Sequence, residues 1–409
     1  MNAAKLEKLL RTLLPYSLVI LWLITLAIAV DNYKEHDEWA MGDWLINYHG
    51  GFVRRGLAGE IAIGLARLSS LDVGIIVIII QLLCYGIFFV FSYLLLRKMY
   101  LLPYAMLIIS PFIFTFQVND YYGGHKKEII YFALLSFLAW SKCSLRREVF
   151  ERIFFTVLPF YALAVLSHEM LIFFLPYLLI LYIIGSKPSR KQYCLLVLCL
   201  IPALISFIFS VYFKGTTDQV NVIFDVLGKM HYAIDRIEEG AIKWLDHSIQ
   251  NGMEEVRVRL DGYIVSYLAA TALALAAFLP IRDTLRALFT NKLVTALFLF
   301  SLAGTMLLII VATDWGRFIY IHLVSLFILA LVVDKVTQRR EQSARVSTIP
   351  VLTVFLVVIW ALTFHIPHYF ALGTKEGNVI SKHTEEINYL KLVMMREYRE
   401  KLFQNEPMK

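Results

Sequence analysis

VGIIVIIIQLLCYGIFFVFSYLLL, residues 73–96, runs for twenty-four residues without a charge. As an α-helix it is about 36 Å long, more than the roughly 30 Å hydrocarbon core of a bilayer. The rest of the chain has the same character. Over 409 residues it is 59% hydrophobic with a mean hydropathy of +0.67, against about 45–50% apolar for a soluble domain. Further apolar runs lie at 12–30, 101–117, 128–141, 152–166, 170–185, 193–212, 263–280, 293–312, 318–333 and 348–365. The expectation is an all-α polytopic membrane protein of about eleven transmembrane helices, with amphipathic helices in its outside loops. The first run is long and is read as an anchor, not a removed signal peptide.

Orientation follows from lysine and arginine in the short loops. With the N-terminus inside, the inside segments carry 19 Lys+Arg against 6 Asp+Glu, and the outside segments 20 against 26. The net +7 charge is therefore a topology signal and no sign of a nucleic-acid partner. Cys84, Cys143, Cys194 and Cys199 fall in spans or on the inside, so neither a disulfide framework nor a zinc site is expected. One transmembrane domain, 1–365, includes outside loops 31–72 and 213–262. An amphipathic outside tail, 366–409, follows it.

The unusual polar residues gather outside. In the first loop Asp31, Asp37, Glu38 and Asp43 follow the first span, interleaved with Trp39 and Trp44. NYHGGFVRRGLAGE, residues 47–60, then sets His49 and a Gly-Gly pair before Arg54 and Arg55. Val53, Leu57, Ile61, Leu65 and Leu68 recur at helical spacing, which predicts an interfacial helix with both arginines in its first turn. Helix N-terminal amides and guanidinium forks suit phosphate; the plainer reading is arginines snorkelling to headgroups within an aromatic belt.

The second loop, QVNDYYGGHKKE, repeats the theme: Asp120, then Gly123–Gly124, His125, Lys126 and Lys127. Two glycine turns with nearby cations can clamp a pyrophosphate, although flanking lysines are common in any turn. Ser167–His168–Glu169 interrupts a long apolar stretch and reads as a hairpin whose His–Glu pair relays protons, binds metal or is structural. Thr313–Arg317 reads as a tight turn in which Asp314 and Arg317 pair, or in which Arg317 meets a phosphate. No P-loop, G-x-G-x-x-G, H-E-x-x-H or G-x-S-x-G occurs.

This layout resembles the GT-C superfamily of membrane glycosyltransferases, and also the Wzy-type O-antigen polymerases. GT-C enzymes carry an essential acid directly after the first span, where Asp31, Asp37, Glu38 and Asp43 stand here. Wzy-like polymerases have arginine-bearing outside loops, as Arg54, Arg55 and Arg317 provide. The resemblance covers the layout without a diagnostic motif, and the chain is shorter than many GT-C enzymes and lacks their large soluble C-terminal domain. It implies a bacterial inner-membrane enzyme, N-terminus cytoplasmic and C-terminus periplasmic, that builds surface polysaccharide. The implied partners are membrane lipid, a polyprenyl-phosphate- or pyrophosphate-linked sugar donor, and a saccharide or lipid-linked acceptor.

On that reading Asp43 or Asp37 is the base, with Glu38 a third candidate. His168 and Glu169 are a supporting or metal-binding pair. Phosphate contacts come from His49, Arg54, Arg55, His125, Lys126, Lys127 and Arg317, with Asp120 and Asp314 beside them. No cofactor is required by the sequence; a divalent cation is compatible with it. The competing classes are a lipid or anionic-solute transporter, disfavoured by spans almost without midplane charge, and an assembly scaffold.

Overall fold

The computed structural model describes residues 2–232, 234–235, 240–337, 350–364 and 366–368. It is all-helical, with no β-strand among the described residues. In chain order the helices are α1 (Ala3–Lys34), α2 (Gly42–Leu45), α3 (Leu57–Ser69), α4 (Val73–Leu96), α5 (Ala105–Ile109), α6 (Phe116–Asn119) and α7 (Glu128–Ser144). There follow α8 (Arg147–Val157), α9 (Tyr161–Ser167), α10 (Leu175–Ile183), α11 (Arg190–Tyr212) and α12 (Thr217–Lys229). The last are α13 (Ile249–Ala276), α14 (Arg282–Leu288), α15 (Lys292–Val311), α16 (Trp315–Thr337) and α17 (Val351–Thr363).

Among the described residues six helical segments are long and apolar enough to cross a membrane: α1, α4, Arg147–Ser167, α11, α15 and α16. A seventh is α13, if its halves, bent by 79°, form one span. The chain is thus an all-α polytopic membrane protein, as a solvent without hydrogen-bonding capacity demands of its backbone. Helix starts are fixed by side chains: Asp72 Oδ1 accepts from Gly74 N at 2.7 Å, and Ser189 with Gln192 and Thr216 with Gln219 form capping boxes on α11 and α12.

Proline divides the expected run at 101–117. A 3-10 turn at Leu102–Tyr104 contains Pro103, and Ser110, extended before Pro111, ends α5. At 170–185 a 3-10 stretch, Glu169–Phe174, precedes α10. Helix α16 is the axis of the bundle, buried along nearly its whole length among α7, α10, α13 and α14. Its mid-span His322 is engaged at both ring nitrogens, by the Tyr177 hydroxyl and by Thr305 Oγ1, a buried polar group absorbed by partners. Of the expected tail, only 366–368 fall among the described residues.

The later part of the apolar stripe faces out of the bundle, while Val53, before α3 begins, is fully buried. Ile61, Leu65 and Leu68 are exposed, whereas Ala58, Gly59, Ala62, Ile63 and Ala66 are buried against the protein. Small residues let helices approach closely within a membrane, and large apolar ones face lipid. Arg54 and Arg55 are not in the first turn of this helix. They form the turn before it, and Arg55 has a left-handed backbone, φ 66°.

Candidate functional site

Where α1, α4, α7, α9 and α16 end on one side of the bundle, the loops between them bring charges together out of water. Asp43 lies in α2, buried at 2% exposure, and Lys127, immediately before α7, is fully buried. Lys127 Nζ donates to the Arg55 carbonyl at 3.0 Å and lies 3.7 Å from Asp43 Oδ1. Asp43 Oδ2 makes no hydrogen bond among the described residues. Burial alone would raise the Asp43 carboxyl; Lys127 foremost, with Lys126 and Arg55, more than reverses this and holds it well below the usual carboxylate range. Burial pushes Lys127 down to about 8, opposed chiefly by Asp43.

Arg55 turns the other way. Its Nε donates to both oxygens of Glu169 at 3.0 Å and its Nη2 to Oε1 at 2.7 Å. This fork-on-carboxylate geometry is the strong form of ion pair. It ties the loop between α2 and α3 to the helix break after α9, where His168 is extended. His168 Nδ1 lies 3.8 Å from Glu169 Oε2 and makes no hydrogen bond among the described residues. Burial first, and Arg55 next, push this imidazole well below its ordinary range, so it is neutral.

A second knot adjoins the first. Arg317, buried in the first turn of α16, donates from Nη1 to Asp314 at 2.8 Å and from Nε to Glu128 at 2.9 Å. The pairing of Asp314 with Arg317 read from the sequence is present, but Glu128 is the larger partner. Lys126 Nζ donates to the Trp39 carbonyl at 2.5 Å and sits 5.4 Å from that ring's centre. Gly123, Gly124, Tyr85, Glu128, Arg317, Tyr320 and Lys126 enclose a cavity of about 10 Å³, room for one water.

The other expected residues have separate employment. Asp37 Oδ1 accepts from the amides of Trp39, at 2.9 Å, and Ala40, and so caps the turn leading into α2. The Glu38 carbonyl accepts from Ala241 N at 3.0 Å. His49 stands between Glu60, 3.4 Å away, and Arg67, 2.9 Å away. Arg54 Nη2 donates to the Trp244 carbonyl at 3.1 Å, while its Nε is buried without a partner among the described residues. Asp120 accepts from Gly123 N at 2.7 Å and from His368 N at 2.6 Å. The His125 ring is fully buried, and burial pushes it down to about 4, so it carries no charge for a phosphate.

The glycine pairs act through backbone needs. Gly51 has φ 103°, and a Cβ on Gly124 would stand 2.2 Å from the Gln117 Cα. Gly124 thereby lets the second loop close onto the Gln117 backbone. Among the described residues no three His, Cys, Asp or Glu side chains gather as a metal site. Glu128, which closes the motif GGHKKE, is the site residue that sequence reasoning passed over; an acid directly after two lysines at a span's edge was its signal.

Comparison with protein-family models, with curated proteins and with solved structures finds no match to this chain. The fold and site define it as a polytopic membrane protein with a buried ionic cluster at one end of its bundle.

Proposed function

We propose that the protein is a membrane glycosyltransferase that takes its sugar from a polyprenyl-phosphate- or pyrophosphate-linked donor at the face opposite the basic loops. The reading keeps the GT-C-like layout of about eleven membrane passes, in a bacterial inner membrane, as part of the proposal. The observation that carries it is Asp43: a buried carboxylate, flanked by Lys127, with one oxygen left without a partner among the described residues. Asp43, Glu128, Glu169 and Asp314 gather there with Arg55, Lys126, Lys127 and Arg317, four acids with four cations. Burying so many ions is costly, and ionisable groups at membrane depth mark functional sites.

In this mechanism the donor phosphate widens the cavity between Lys126 and Arg317 by drawing Lys126 off the Trp39 carbonyl. Its negative charge offsets Lys126 and Lys127, so the proton affinity of Asp43 rises as the acceptor arrives. Asp43 Oδ2 takes the proton of the acceptor hydroxyl, whose oxygen bonds to the anomeric carbon. The bond from that carbon to the phosphate oxygen breaks, and Lys126 and Arg317 meet the departing charge. Arg55 and Glu169 hold the first loop in place and do not touch the donor.

Transport is the weaker reading, because these charges stay at the end of the bundle and mid-span His322 is held by hydrogen bonds. The test is a profile of lipid-linked saccharides in cells with and without the gene. A change confined to cells that express it supports transfer, a ladder of lengths meaning polymerisation and one added sugar a single transfer. Identical profiles overturn the proposal.

A further inference from the structure

We infer that a groove between α1 and α4, remote from the ionic cluster, is a binding site for one anionic phospholipid of the leaflet that faces the basic loops. The groove has a volume of about 310 Å³ and is lined by Pro15, Leu18, Val19 and Trp22 of α1 and Gly86, Phe89, Val90 and Tyr93 of α4. The indole of Trp22 donates to the Leu82 carbonyl at 3.0 Å, so its polar edge is already satisfied and its ring forms wall. Such a lining repels water and accepts a hydrocarbon chain. The missing side chain at Gly86 makes the space: an added Cβ would lie 3.5 Å from Trp22 Nε1.

Charge at one end of the groove selects the occupant. Helical spacing of three and four residues carries the α1 wall from Trp22 through Leu18 and Pro15 to Arg11 and Lys8. The α4 wall runs likewise from Gly86 through Val90 and Tyr93 to Arg97. Lys8, Arg11 and Arg97 are exposed one or two turns beyond the apolar lining, at the membrane edge. Arg11 binds the Arg97 and Met99 carbonyls and Glu7, which fixes the two helix ends together. Lys98 is exposed beside Arg97, and Lys335 at the end of α16 lies within electrostatic range of both. An acyl chain in the groove places its phosphate among these cations, and a zwitterionic headgroup lacks the net charge to match them.

The test is native mass spectrometry of the full-length protein in detergent, titrated with palmitoyl-oleoyl phosphatidylglycerol or the matching phosphatidylcholine. One phosphatidylglycerol should be retained about tenfold more tightly than phosphatidylcholine. Gly86→Leu fills the groove with a better helix former and should weaken phosphatidylglycerol about fivefold or more. Lys8→Gln with Arg97→Gln leaves the groove intact and should bring phosphatidylglycerol down to the phosphatidylcholine level. Equal retention of the two lipids by the wild type overturns the inference. So does unchanged retention by the charge variant, or by a Gly86→Leu protein whose thermal unfolding is unaltered.

Discussion

Arg55 grips both carboxylate oxygens of Glu169 across 114 residues of sequence, closing the loop between α2 and α3 onto the helix break that follows α9. The arginine does so from a left-handed backbone, a conformation that costs a non-glycine residue about 1 kcal/mol or more. The ion pair offsets that strain and orients the turn so that the Arg55 carbonyl receives Lys127.

Arg55→Ala is therefore expected to destabilise the protein by about 1–3 kcal/mol, less than the loss of a fully buried pair, because it leaves the half-buried Glu169 carboxylate without its partner. Removing both partners should cost less than the two single changes added together. Unfolding of the two single variants and the double variant in detergent checks this. Strict additivity would mean that the pair is not coupled.

The pH response of Lys127 separates stability from activity. Its folded pKa, pushed down to about 8, lies below the ordinary 10.5. Between these values the unfolded chain binds more protons than the folded one, so this group's contribution to stability increases as pH rises. Below about 8 the buried lysine is charged in both states and its full penalty is present. Product formation should move oppositely, falling as pH rises through about 8, because the donor phosphate is drawn in by the charge on Lys127. Lys127→Arg keeps its charge throughout and should abolish that fall. Parallel pH series of melting temperature and product yield test both trends.

Gly124→Ala should lower the melting temperature strongly, since its Cβ would meet the Gln117 backbone at 2.2 Å. Gly64→Ala, in α3 with open space around it, should be neutral or stabilise by about 0.5–1 kcal/mol. Thermal unfolding of the two variants side by side distinguishes backbone approach from a general intolerance of these glycines.

Much of the fold is legible in the sequence, because hydropathy over twenty residues is unambiguous for stretches such as 73–96. The inward face of a helix is less so. In lipid the solvent is as apolar as the core, so the Ile61–Leu65–Leu68 stripe marks the outside of α3 while the alanines and Gly59 mark its contact. Composition brings Asp37 and Asp43 forward equally. Only the turn geometry spends Asp37 on the Trp39 and Ala40 amides and leaves an Asp43 oxygen unengaged. The partner of Arg317 was hidden by distance: Glu128 stands 189 residues away, and local spacing suggested Asp314 alone.

That division of the two aspartates is the most direct way into the central claim. Lipid-linked saccharides should be profiled in cells carrying wild type, Asp43→Asn, Asp37→Ala or an empty vector, with membrane insertion checked for each. Asp37→Ala loses a cap worth about 1 kcal/mol and should retain the wild-type product. Asp43→Asn keeps the shape of the site, removes its proton acceptor, and should match the empty vector. An Asp43→Asn profile indistinguishable from wild type, with the protein inserted, would contradict the account.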